Sequence, residues 1–200
     1  YNIEFDDYFK DEQVEHIVKV VHHLETSEGK RNKSLACPMV MAPQAKQEIS
    51  GIEDFTRFYN ESGIVSYDKY AFHENIRFAD HSFFKMFPLA LKHGSYKNFE
   101  DEKFIFLSYH LSKKYFDETD PVGETMSVEF NGKKYEVMVG GVLAKLPLNI
   151  SFHIEALMRI EKYLDAHSIA PNDWNSNHSS SVLFKLADIN QRNSVGERMN

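Results

Sequence analysis

Apolar and polar positions along the chain fall into stretches with readable periods. His16 to Glu25 is rich in β-branched side chains and predicts a strand, and the polar run Glu28 to Ser34 predicts a loop or hairpin tip. Pro43 suits the first turn of a helix, where its missing N–H has no partner to lose. Met41, Ala45 and Ile49 lie one turn apart on one face, and Gly51 ends the helix. Ile52 to Asn60 predicts a second strand, so residues 16–60 read as β-α-β. Gly63 to Phe78 alternates aromatic and polar residues, as one or two strands do. Asp80 is a candidate cap for a helix carrying Phe83, Phe84, Met86 and Phe87 and stopping at Pro88. A polar loop containing Gly94 follows, then a short strand Phe104–Leu107 and a helix capped by Ser108, with Leu111 and Tyr115 on one face.

The sharpest local signal comes next. Asp120-Pro121-Val122-Gly123 has the residues of a turn, Pro setting φ at the second position and Gly relieving the fourth. Met126, Val128 and Phe130 alternate, Asn131-Gly132 tolerates the positive φ of a tight hairpin, and Tyr135, Val137 and Val139 alternate again. A two-residue loop pairs Phe130 with Lys133, Glu129 with Lys134, Val128 with Tyr135 and Met126 with Val137. His153–Ile160 predicts a strand, Glu161–His167 a helix and Ser181–Leu186 a strand, a second β-α-β, with Asp188 placed to cap a last helix. The predicted class is α+β, a split β-α-β layer formed by both chain ends (residues 1–62 and 148–200) around an inserted β-rich subdomain (63–147).

Composition narrows the function. With 16 Phe and 10 Tyr the chain has too much apolar surface to stay disordered. No apolar run approaches the roughly 18 residues that cross a bilayer. A net charge of −7 argues against binding phosphate backbones, so no nucleic-acid partner is expected. The single cysteine, Cys37, permits neither an internal disulfide nor a Cys-rich zinc site. The chain opens on Tyr1, which reads as a piece of something longer.

The catalytic and ligand patterns in the sequence are fragments. Gly140-Gly141 lacks the rest of a phosphate-binding loop. His22 and His23 are adjacent and point to opposite faces of a strand, and His153-Ile154-Glu155 lacks the cysteine pair of a deaminase site. Ser108 stands in Leu-Ser-Tyr-His rather than a nucleophile elbow. A hydrolase around His110 or His153 is therefore disfavoured, and no metal, cofactor or catalytic residue is expected. The cluster Phe83, Phe84, Phe87 has the spacing of a core and also of an apolar pocket, which keeps open a free-standing module binding peptide or lipid.

Several segments together resemble a known family. They are Tyr1–Phe9, Ile52–Arg57, Ala79–Phe87, Leu107-Ser108 with Lys113–Phe116, Asp120–Glu124, and Gly141-Val142-Leu143 leading to Leu146-Pro147, with Trp174 before the last strand. Their order and spacing resemble the MacB-like periplasmic core domain of FtsX-like ABC transporter permeases, in the form common in Bacteroidetes-type sequences. The first strand and the turn before Ile52 depart from the family pattern, in positions of packing rather than chemistry. The resemblance implies a non-catalytic domain outside the cytoplasmic (inner) membrane, in the periplasm, between two transmembrane helices of the same permease. It further implies a cytoplasmic ATPase, two permease domains per transporter, and a periplasmic adaptor or a lipoprotein or peptide cargo as partner. The motif residues it carries are structural: Asp80, Phe83, Phe84, Ser108, Asp120, Pro121, Gly123, Asn131, Gly132, Gly141 and Pro147.

Overall fold

The computed structural model describes residues 2–5, 16–25, 31–34, 37–145, 153–170, 172–174 and 181–199. In chain order these form β1 (Asn2–Phe5), β2 (Ile17–Glu25), β3 (Arg31–Ser34), α1 (Met41–Glu48), β4 (Ile52–Tyr67) and β5 (Tyr70–Ala79). There follow α2 (Phe83–Met86), β6 (Leu91–Gly94), a 3-10 helix over Tyr96–Glu100, β7 (Phe104–Leu107), α3 (Tyr109–Phe116), β8 (Thr125–Phe130) and β9 (Lys133–Leu143). The last elements are β10 (Ala156–Arg159), α4 (Ile160–Ala166), β11 (Ser181–Leu186), a 3-10 turn at Ile189–Gln191 and α5 (Arg192–Arg198). The contacts divide the chain into a terminal unit (Tyr1–Phe58, Lys85–Phe87, Ile169–Asn200) and a central unit (Tyr59–Phe84, Pro88–Ser168).

In the terminal unit β11 lies between β2 and the first half of β4 and runs antiparallel to both, with Phe184 opposite Val18 on one side and Phe55 on the other. The two outer strands are therefore parallel and joined through α1, a β-α-β whose strands are split by the returning chain end. The alternation of β11 puts Val182, Phe184 and Leu186 into one core with Val18 and Val20, together with Met41, Ala42 and Ala45 of α1, Ile49 just after it, and Val195 of α5. β1 and β3 also pair antiparallel with β2. Of the stretch read as a loop or hairpin tip, Arg31–Ser34 is a strand that folds back along Glu25–His22 as the second arm of a hairpin.

The central unit closes on itself. β4 pairs with β5, β5 with β10, β10 with β7, β7 with β9, β9 with β8, and β8 again with β4. Closure of this kind satisfies the strand edges that an open sheet leaves bare. Val65, Ile76, Phe78, Ile105, Met126, Val128, Val137, Val139 and Leu157 are all buried. The β8–β9 hairpin has the predicted register, Phe130 opposite Lys133 and Met126 opposite Val137.

Two sequence readings change. His153–Ile160 and Ser181–Leu186 do not build one β-α-β: β10 lies between β5 and β7 in the central unit, and β11 between β2 and β4 in the terminal one. A strand's own pattern encodes its burial and not its neighbours. The supposed polar loop around Gly94 is β6, laid antiparallel on β9 with Gly94 opposite Gly141. It looks polar because Lys92 and Gly94 are exposed and Leu91 and His93 only half-buried.

Candidate functional site

The structural motif residues fall into separate places, with no shared cleft among those described. Asp80 is buried and its carbonyl accepts from the Phe83 amide at 3.0 Å, opening the single turn of α2. Phe83 and Phe84 are packed core. Phe84 lies 5.0 Å, ring to ring, from each of Phe83, Phe99, Phe106 and Tyr96. Gly141 belongs to the same cluster, because a Cβ there would stand 2.6 Å from the Phe106 ring. The phenylalanine rings of this cluster are buried against one another.

Ser108 caps α3, its Oγ accepting from the Leu111 amide at 3.0 Å, so the hydroxyl is committed to the helix end. Asp120 Oδ1 accepts from the Val122 amide at 3.0 Å, Pro121 is buried, and Gly123 takes φ +93° as the turn leads to β8. Asn131 and Gly132 take φ +47° and +73° at the hairpin tip. Pro147 lies outside the described residues. Trp174 is exposed, with 47% of its surface open.

His73, His81, His110 and His153 are exposed. Among the described residues no group of three or more His, Cys, Asp or Glu could hold a metal ion. Cys37 is buried and its burial pushes the thiol up to about 11, which keeps it protonated and unreactive near neutrality. The polar clusters that do form join residues linked by no spacing rule. The buried Glu74 carboxylate lies 2.6 Å from Lys114 Nζ and 3.0 Å from the Tyr115 hydroxyl, which is also 3.0 Å from the Val65 carbonyl. Burial first, then the Glu74 contact, pushes the Tyr115 phenol upward, so it stays a neutral donor. Arg159, also buried, donates to the carbonyls of Phe99 and Glu100 at 3.2 and 2.7 Å.

Among the described residues two histidine–carboxylate pairs occur. His93 Nδ1 lies 3.3 Å from Asp120 Oδ2, while its Nε2 is buried without a hydrogen-bond partner. His167 Nε2 lies 2.8 Å from Glu61 Oε2, and its Nδ1 lies 3.3 Å from Asn131 Nδ2. In neither pair does the second ring nitrogen meet a hydroxyl or thiol in the way a Ser–His or Cys–His relay requires. A polar cleft of about 320 Å³ lies between Ser66, Tyr67, Asp68, Thr125, Ser127, Lys134 and Glu136. Its carboxylates and lysine are on open strand faces rather than buried around a reacting centre.

The described motif residues share local structural roles: Phe83, Phe84 and Gly141 pack, Ser108 caps, and Asp120, Gly123, Asn131 and Gly132 turn the chain. The sequence profile of the MacB-like periplasmic core domain matches residues 5–200. The chain belongs to that family. It is thus the extracytoplasmic domain of a MacB/FtsX-type transporter permease. No curated protein sequence matches it. Among solved structures it is similar to a domain of a protein described as a permease from Porphyromonas gingivalis, at 21% identity and a TM-score of 0.74, covering 94% of this chain and 83% of that one. It is also similar to the extracellular domain of the noncanonic ABC-type transporter YknZ from Gram-positive bacteria, at 13% identity and a TM-score of 0.63, covering 90% and 88%. The periplasmic region of MacB from Actinobacillus actinomycetemcomitans aligns at 16% identity with a TM-score of 0.64, covering 97% and 88%. At these identities the structures show a shared fold. No helix among the described residues of the MacB-like domain is long and apolar enough to cross a membrane.

Proposed function

We propose that this domain is a mechanical relay, carrying ATP-driven movement of a transporter from its membrane helices to a periplasmic partner or cargo. The observation that carries this reading is the family match across residues 5–200. On it the chain is flanked by two transmembrane helices of the inner membrane, works with a cytoplasmic ATPase, and stands beside a second permease domain. Its own side chains make and break no bonds. Its partner is an adaptor, a lipoprotein or a peptide. The filled Phe83–Phe84–Phe106 cluster supports this reading over the apolar-ligand module, which needs an open pocket in the same place.

The test uses the full permease with its ATPase in a lipid nanodisc. Spin labels at the exposed positions Lys69 and Glu197 report one distance, and the buried Cys37 does not take the label. A distance distribution that changes between the nucleotide-free and the ATP-trapped transporter supports the relay. An unchanged distribution, in a preparation that hydrolyses ATP and transports, overturns it.

A further inference from the structure

The end of α4 is held from two sides. From the β8–β9 hairpin, Asn131 Nδ2 donates to the Ala166 carbonyl at 2.9 Å, Lys133 Nζ to the Asp165 carbonyl at 2.6 Å, and the Tyr135 hydroxyl to Asp165 Oδ2 at 2.6 Å. From β4, Glu61 Oε2 meets His167 Nε2 at 2.8 Å. His167 joins the two sides, since its Nδ1 faces Asn131 Nδ2 at 3.3 Å while its ring lies on Tyr163, centroids 4.3 Å apart. Glu61 and His167 each stand close in sequence to a point where the chain passes between units, after Phe58 and after Ser168.

We propose that His167 is a proton-operated clip between the β8–β9 hairpin and β4. When the ring is neutral both of its nitrogens are satisfied: Nε2–H donates to the Glu61 carboxylate and the bare Nδ1 accepts from Asn131. The Asn131 amide cannot turn its oxygen to the ring without cost, because the Ala166 carbonyl requires the nitrogen where it is. A proton added at Nδ1 sets N–H against N–H on the Asn131 side and turns the Glu61 hydrogen bond into an ion pair. Protonation thus moves the ring's attachment from hairpin to strand, and the hairpin tip loses one of its holds on the end of α4.

The other groups around the ring do not follow it. From α4, Asp165 is held below the usual carboxylate range by the Tyr135 hydroxyl first and then by the charge of Lys133, so it stays ionised through mild acid. The Tyr135 phenol is raised by burial and by Asp165, and the Tyr163 phenol by burial and by Tyr59, so both stay neutral. Lys133 lies on Asp165 and Lys162 over the Tyr135 ring at 5.5 Å. Tyr59 of β4 stacks on Tyr163 with centroids 3.8 Å apart. The imidazole of this cluster is His167, set between Asn131 and Glu61.

The test is an NMR titration of the whole chain from pH 8 to about pH 5, across the histidine range, with labelled histidine rings and asparagine side chains. The expected result is the Nε2–H tautomer of His167 at high pH, and Asn131 side-chain amide signals that shift with the same midpoint as the His167 ring. Amide exchange at Asn131 and Gly132 accelerates through that midpoint. An Nδ1–H tautomer, or Asn131 signals that stay still while His167 titrates, overturns the clip. In His167→Gln the pH response of Asn131 disappears, and its persistence also overturns the proposal. Should that variant fail to fold, the titration of the unaltered chain decides alone.

Discussion

The two units solve the same problem of covering a sheet in opposite ways. The terminal unit lays helices on an open sheet, α1 and α5 over the inner faces of β2, β11 and β4. The central unit bends its strands until β8 meets β4 and the sheet covers itself. In the first, stability rests on an interface between helix and sheet that a local amphipathic pattern can specify. In the second it rests on pairings between distant segments, and on side chains small or flat enough to let the strands approach. Core truncation, backbone strain and pH should therefore act differently on the two, and hydrogen exchange read strand by strand can tell them apart.

The largest effect is expected from emptying each core. Phe106 lies 5.0 Å from the Phe84 ring and 5.4 Å from Phe99, and Phe184 is fully buried in the terminal core. Either Phe→Ala change should cost about 3–5 kcal/mol in urea unfolding. Phe106→Ala should lower protection in β7, β9 and β10 before β2 and β11, and Phe184→Ala the reverse. Equal loss of protection everywhere from either change would mean that the two units unfold as one.

A smaller effect separates two glycines of the central unit. Gly132, φ +73°, has open space where a Cβ would go, so Gly132→Ala meets only backbone strain, about 1 kcal/mol. At Gly94, φ +87°, a Cβ would fall onto the Gly140 carbonyl oxygen and 2.6 Å from Gly141 Cα, where β6 lies on β9. Gly94→Ala should cost about 2–4 kcal/mol, strain and overpacking together. Melting temperatures of the two variants, measured side by side, check the order. A reversal would show that β6 is not held as closely as its pairing with β9 requires.

That contrast also marks where the sequence stops being informative. The Asn131-Gly132 hairpin is legible because its signal is local: alternation on both sides fixes the faces, and the turn residues fix the register. The cap at Ser108 and the face of α1 are local in the same sense. β6 is not, since nothing in Leu91–Gly94 announces the Gly140-Gly141 pair that receives it. The parting of β10 and β11 into different units escapes for the same reason, as both are short apolar runs and only tertiary pairing separates them. The His167, Glu61 and Asn131 cluster draws one residue from the end of a helix, one from a strand and one from a turn, and no spacing rule links them. The family resemblance, by contrast, was carried by caps and turns, the features a sequence displays most directly.

The smallest expected effect is the order in which the units respond to pH. In the central unit Asp165, Glu118 and Asp101 are held below the usual carboxylate range, by the Tyr135 hydroxyl, by Lys113 and by the Lys103 amide respectively. A carboxyl lowered in the folded state adds stability that is present above its unfolded value and lost as pH falls through the folded one. The terminal unit carries the opposite case. Burial raises the Cys37 thiol from 9.0 to about 11, so its contribution is complete below 9.0 and is lost as pH rises toward 11. The raised phenols of the central unit, Tyr115, Tyr135 and Tyr163, begin from 10.0 and come later. Acid should therefore loosen central strands through Asp165, and Asp165→Asn should flatten that limb; because Asp165 also helps to raise the Tyr135 phenol, the same change should lessen the alkaline loss in the central unit while leaving the interval set by Cys37 unchanged. Mild alkali should act first on the strands and helix around Cys37, with thiol reagents gaining access over the same interval. In Cys37→Ala the loss of protection between pH 9 and 10 should disappear from β2 and α1, because no group remains there whose ionisation is held back by burial alone. If that alkaline loss persists unchanged in Cys37→Ala, the buried thiol is not what separates the two units, and the difference between them lies in strand pairing.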